Sequence, residues 1–200
     1  MLSKILKFLW NFFWIALMVT VVGLLAFRFY TLNHYPSFAK GIIPTQSLKD
    51  NFKSDGSLNA ITWRMPEELD EEGCFFAYQP IYIEEEKTFI ITVRYNDALL
   101  EELNFDGDGE SFEIFPSLSY KETERKLPLS YEYGYAYGLY SYRRYVFENV
   151  DLSDYEHIYL NIHLDDDYEA SPFVILDIYD AAAPTDGYKL TWRDKKALLT

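Results

Sequence analysis

The chain has 200 residues, 49% of them hydrophobic and 18% aromatic, a composition suited to one folded domain besides any anchor. Lys4, Lys7 and Arg28 sit in or beside an apolar N-terminal stretch, while the rest of the chain carries 15 basic against 32 acidic side chains, a formal charge of −17 that repels phosphate backbones and excludes nucleic acid as a partner. Cys74 is the only cysteine, so neither an intrachain disulfide nor a cysteine metal cluster is available.

From Phe8 to Phe27 twenty positions pass without a charge. Such a helix is about 30 Å long, the thickness of a hydrocarbon core. Trp10 and Trp14 lie toward one boundary, with Phe27, Phe29, Tyr30 and Tyr35 toward the other, as interfacial aromatics do. The stretch exceeds a signal-peptide core, and Leu24-Leu25-Ala26 makes a poor cleavage site. No cysteine follows for a lipoprotein, and no polar stripe marks a buried core helix. The expected organisation is a cytoplasmic start (1–7), a membrane helix (8–27), a stalk (28–44) and an extracytoplasmic domain (45–200). The basic residues before the helix favour that orientation, with the cell membrane of a bacterium as the address. The absence of any Asn-x-Ser/Thr acceptor agrees with a bacterial source.

Within the outer part, Thr45, Leu48, Phe52 and Asp55-Gly56 spell a capped helix over 46–54. Strand-sized pieces follow at 57–63, 74–84 (with Pro80 at an edge or bend), 88–96 and 111–120. A helical turn at 97–105 separates the last two. Tyr131, Tyr133, Tyr135 and Tyr137 recur with period two, and a strand continues over 139–147. HIYLNIHL (157–164) alternates most clearly, with Ile158, Leu160, Ile162 and Leu164 inward and His157, Tyr159, Asn161 and His163 outward. Further strands are read at 173–181 and 188–192, before a basic tail. Many short strands between acidic or Gly/Pro turns indicate a mainly β fold. The expectation is an antiparallel β-sandwich, Ig-like or jelly-roll-like, with an up-and-down barrel as the alternative.

Chemistry-bearing patterns are sparse. Asp106, Asp108 and Glu110 have the acid spacing of a calcium loop, but Ser111 and Ser117 stand where it needs glycine and an acid. Asp165 and Asp167 belong to a second acidic loop, and both clusters are read as solvated turns that are weak metal candidates at most. His157 and His163 share a face roughly 20 Å apart, too far for one zinc ion, and His34 belongs to the stalk. No Gly-x-Ser-x-Gly elbow occurs, Cys74 reads as a packed thiol, and no cofactor motif is present. The tyrosines at 131, 133, 135 and 137 are the candidate binding surface, either a cross-strand ladder or a platform for sugar rings. The expectation is a non-catalytic module held in the lipid bilayer by Phe8, Trp10, Trp14 and Phe27. It would contact another envelope or membrane protein, with a carbohydrate-binding sandwich and a small surface hydrolase as the rivals.

Overall fold

The computed structural model describes residues 2–33, 39–71, 73–96, 115–120, 126–137, 140–163 and 172–200. The chain divides into two compact units, Met1–Pro36 and Ser37–Thr200.

The first unit is one helix, α1 (Leu2–Asn33), long and apolar enough to cross a membrane from Lys4 to Tyr30. Its rings make contacts along one turn, with Trp10 and Trp14 edge to face at 5.8 Å. Thr20 Oγ1 donates to the Ala16 carbonyl at 2.9 Å, so the hydroxyl is satisfied within the helix itself. The helix runs past Phe27 through Asn33, so the first residues of the segment 28–44 are helical. Ala39 and Ile42 are already buried in the second unit, because their side chains have a sheet face to cover.

That unit opens with α2 (Gln46–Asp55), which forms where local capping dictates. Thr45 accepts from the Leu48 N–H at 3.1 Å, and Gly56, at φ +67, closes the last turn onto the Phe52 carbonyl. Eleven strands follow among the described residues: β1 (Ala60–Trp63), β2 (Phe75–Ala77), β3 (Ile81–Ile83), β4 (Thr88–Tyr95), β5 (Phe115–Ser119), β6 (Lys126–Pro128), β7 (Tyr131–Tyr137), β8 (Tyr140–Phe147), β9 (His157–His163), β10 (Val174–Asp180) and β11 (Thr185–Gly187). A final helix, α3, spans Trp192–Leu199. One sheet runs β11-β1-β3-β4-β8-β7, with β2 also on β4, and the other runs β10-β9-β5-β6. Every pair is antiparallel.

The fold is therefore mainly β, with two antiparallel sheets sharing one core. Trp63, Phe89, Ile91, Val93, Tyr145 and Phe147 of the first sheet join Leu118, Ile158, Leu160, Ile162, Leu176 and Ile178 of the second. Trp63 ties them together, because its indole N–H donates to the Ile178 carbonyl at 2.8 Å. The other face of the first sheet is partly covered too, with Ile83, Ile90 and Val146 packed under Ile42, Leu48, Phe52 and Leu198.

Several sequence expectations need correction. The piece 74–84 breaks at Pro80 into β2 and β3, since proline cannot continue the ladder. The expected strand at 188–192 is replaced by β11, three residues earlier, and the basic tail is α3, started by a capping box between Thr191 and Asp194. Asn161 and His163, expected to face water, are buried. The helical turn at 97–105, Leu164 and His34 lie outside the described residues.

The buried tyrosines set an alkaline limit on this core. Burial pushes the phenols of Tyr145, Tyr142, Tyr82 and Tyr179 above their ordinary value near 10, most strongly at Tyr145. Each then holds its proton more tightly folded than unfolded, so the associated stability is complete below the unfolded value and is lost as pH rises above it. In an alkaline titration followed at 295 nm, these phenols should ionise only as the circular dichroism of the sheets collapses. Full ionisation with an intact fold would contradict their burial.

Candidate functional site

The aromatic surface expected from the sequence lies on the outward face of the first sheet. Backbone register sets Tyr131, Tyr133, Tyr135 and Tyr137 opposite Val146, Arg144, Tyr142 and Tyr140 of β8. Opposite residues in an antiparallel pair share a face. Tyr133 is 41% exposed, and the side chains of Tyr131, Tyr135 and Tyr137 lie outside the described set. The same face continues across β4 through Arg94 and Thr92, which pair with Tyr142 and Arg144, and across β2 through Phe76, which pairs with Arg94.

Arg94 is the centre of this face. Its guanidinium lies 4.5 Å from the Tyr140 ring centroid and 5.1 Å from that of Phe76, so aromatic faces flank a cation. Burial pushes the pKa of the neighbouring Tyr142 phenol up, and the positive charge of Arg94 opposes that shift. The Tyr78 and Tyr142 rings stack at 6.3 Å, and Phe76 meets Tyr78 edge to face at 4.9 Å. Strand pleating explains the grouping: Phe76, Arg94 and Tyr142 are neighbours across three strands, whereas Arg143 and Tyr145 turn to the opposite side. Arg143 bonds Glu132 at 2.6 Å and the Tyr95 hydroxyl at 2.9 Å there. Arg144 is 6% exposed and donates to the Gly41 carbonyl, and Thr92 Oγ1 donates to the Ala39 carbonyl at 2.9 Å. The entering segment thus lies across part of the face. The remainder presents rings and a half-buried cation.

No protein family, curated protein or solved structure matches this chain. Any functional reading rests on the side chains themselves.

The other candidates fare differently. Asp106, Asp108, Glu110, Asp165 and Asp167 lie outside the described residues. Among the described residues no cluster of three His, Cys, Asp or Glu can hold a metal ion. His157 Nδ1 sits 3.1 Å from Asp177 Oδ2, with its ring stacked on Tyr159. Asp177 is in turn held through its backbone by Glu67. This is an imidazole–carboxylate pair of the kind that orients a general base, yet among the described residues no serine or cysteine hydrogen-bonds the ring. Cys74 is packed in the core. Ser117 and Asn161 face each other across β5 and β9, both buried, and among the described residues Ser117 Oγ and Asn161 Nδ2 have no hydrogen-bond partner.

The sequence pointed to this face through the tyrosine period but missed Phe76, Tyr78 and Arg94. The available signal was the alternation within β4, which sets Arg94 on the side opposite Phe89, Ile91 and Val93. Only the pairing of β2 with β4 puts a ring over it.

Proposed function

We propose that this chain is a non-catalytic, single-pass membrane-anchored module of a bacterial envelope. Its α1 spans the bilayer with the N-terminus in the cytoplasm, and its β domain folds as an antiparallel sandwich outside. There it contacts another envelope or membrane protein through the outward face of its first sheet. The observation that carries the reading is Arg94 held between Phe76 and Tyr140, on the sheet face that also carries the exposed Tyr133, in an otherwise strongly acidic domain. Arginine and tyrosine are the side chains that dominate protein interfaces, and a cation prearranged between rings loses little freedom on binding. The lack of a hydroxyl or thiol on the His157–Asp177 pair among the described residues favours binding over hydrolysis.

The test is a photoreactive residue at position 133 of the full chain in native membranes, with the same residue at exposed Lys53 on α2 as the control. A discrete protein adduct is expected at 133 and not at 53. Arg94→Ala is expected to reduce it about tenfold, as loss of a hot-spot side chain does. Equal labelling at both positions, or indifference to Arg94→Ala, would refute the reading. Protease added to intact cells should remove the β domain and spare the anchor. The exposure of Tyr133 also favours a second reading, a sugar-binding face, which predicts retention on polysaccharide that is lost in Tyr133→Ala.

A further inference from the structure

We infer that β7 is a self-complementary edge strand that pairs antiparallel with β7 of a second copy of this chain, joining the two first sheets into one. Among the described residues the strands at the ends of the two sheets differ sharply. β11 has three residues, and β6 has three and contains Pro128. β10 carries a register shift between Asp177 and Tyr179, and the backbone of Asp177 is engaged by Glu67 on its outer side. Short strands, proline, bulges and covering segments are the usual ways of blocking edge-to-edge pairing. Among the described residues β7 has none of them. It runs seven residues in unbroken register with β8, contains neither proline nor lysine, and ends the sheet. Glu132, Tyr133 and Gly134 are exposed, and among the described residues nothing pairs with its outer side.

The phase of the free edge follows from the hairpin. Two residues separate the paired Tyr137 and Tyr140, so that pair exchanges both backbone hydrogen bonds. Alternation then directs the backbone groups of Tyr135, Tyr133 and Tyr131 to β8 and those of Ala136, Gly134 and Glu132 outward.

The sequence of β7, Tyr-Glu-Tyr-Gly-Tyr-Ala-Tyr, is nearly symmetric about Gly134. A two-fold axis through Gly134 makes Gly134 and its mate a hydrogen-bonded pair, in phase with the free groups. It sets Tyr131 opposite the mate's Tyr137 and Tyr133 opposite the mate's Tyr135, in the close non-hydrogen-bonded pairs where cross-strand aromatic contacts are made. It also sets Glu132 opposite Ala136, so the strand's one charge never meets its copy. A register slip of four residues in one direction, which moves the axis from Gly134 to Glu132, brings Glu132 directly against its copy. Glycine at the axis has a separate structural cause, since a Cβ at 134 would lie 2.4 Å from Arg143 Nη1 as that side chain crosses to Glu132. An isologous contact of this kind closes at two copies.

This pairing uses the edge of the sheet and is independent of the contact proposed for its face. The experiment is energy transfer between differently labelled full-length chains in detergent micelles across a dilution series. The unmodified chain should associate. Ala136→Pro removes a donor that β8 does not use, so it should abolish association and leave the circular dichroism unchanged. Ala136→Glu places like charges across both symmetric contacts and should weaken association about fivefold, while Ala136→Lys should tighten it by a similar factor. In a Cys74→Ala background, Tyr133→Cys/Tyr135→Cys should cross-link on oxidation and Tyr133→Cys/Tyr137→Cys should not. A monomeric unmodified chain, association that survives Ala136→Pro, or equal cross-linking of the two cysteine pairs would overturn the inference.

Discussion

Replacing Trp63 by alanine is expected to cost about 4–5 kcal/mol, enough to leave the β domain largely unfolded at 37 °C. Trp63 is 1% exposed on β1, and its ring meets Phe89 of its own sheet at 5.8 Å and Tyr179 of the other at 5.0 Å. Truncation opens a cavity bounded by both sheets, and strands anchored by their own ladders cannot collapse into it. It also removes the donor to the Ile178 carbonyl, leaving a buried acceptor unmet. Trp63→Phe separates the two effects. Phenylalanine keeps most of the apolar volume but cannot reach that carbonyl, so a cost of about 2 kcal/mol is expected. The measurement is urea unfolding of the full chain in micelles, followed by circular dichroism because the mutated residue is itself a reporter of fluorescence. Equal costs for the two variants would assign the whole effect to the hydrogen bond and contradict the packing argument.

How much of this was readable beforehand depended on whether the cause was local. The boundaries of α2 were legible because Thr45 and Gly56 act within one turn of the residues they cap. The strand β9 was legible because its pleat places Ile158, Leu160 and Ile162 on one side. Alternation names a face, however, and not what lies over it, so Asn161 and His163 were assigned to water and are buried. The tyrosines make the same point: on one sheet face Tyr133 is exposed while Tyr142, one strand away, is fully buried under its neighbours. The site residues Phe76 and Arg94 were invisible for a related reason. They lie eighteen positions apart in sequence, and only the β2–β4 pairing makes them neighbours. The helix α3 was written in the sequence as Thr191-x-x-Asp194, but four charged residues in eight hid the one fully buried leucine that anchors it.

Asp194 gives the second large expected effect, because its carboxylate does more than start a helix. It is 4% exposed and accepts from the Thr191 N–H and hydroxyl, both at 2.8 Å, from the Tyr188 hydroxyl at 3.1 Å and from the Ile42 N–H at 3.0 Å. The last of these fastens the end of the chain to the segment that enters the domain, 152 residues away. Asp194→Ala leaves buried donors unmet and breaks the capping box, for an expected loss of about 3–4 kcal/mol. Asp194→Asn keeps the shape and some acceptor capacity, but turns an N–H₂ toward donors, and is expected to cost about half as much. Gly41 is the other side of the same contact. Its φ of +91 is a conformation that side chains rarely adopt, and a Cβ there would stand 2.3 Å from Asp194 Oδ1. Gly41→Ala should therefore cost about 2–3 kcal/mol through backbone strain and displacement of the carboxylate. Once the carboxylate is gone its displacement costs nothing further. The double variant Gly41→Ala/Asp194→Ala should accordingly lose about 1 kcal/mol less than the two single losses combined. Strict additivity in denaturant unfolding would mean that Gly41 answers only to its own backbone, and that the latch between the entering segment and α3 is not one unit.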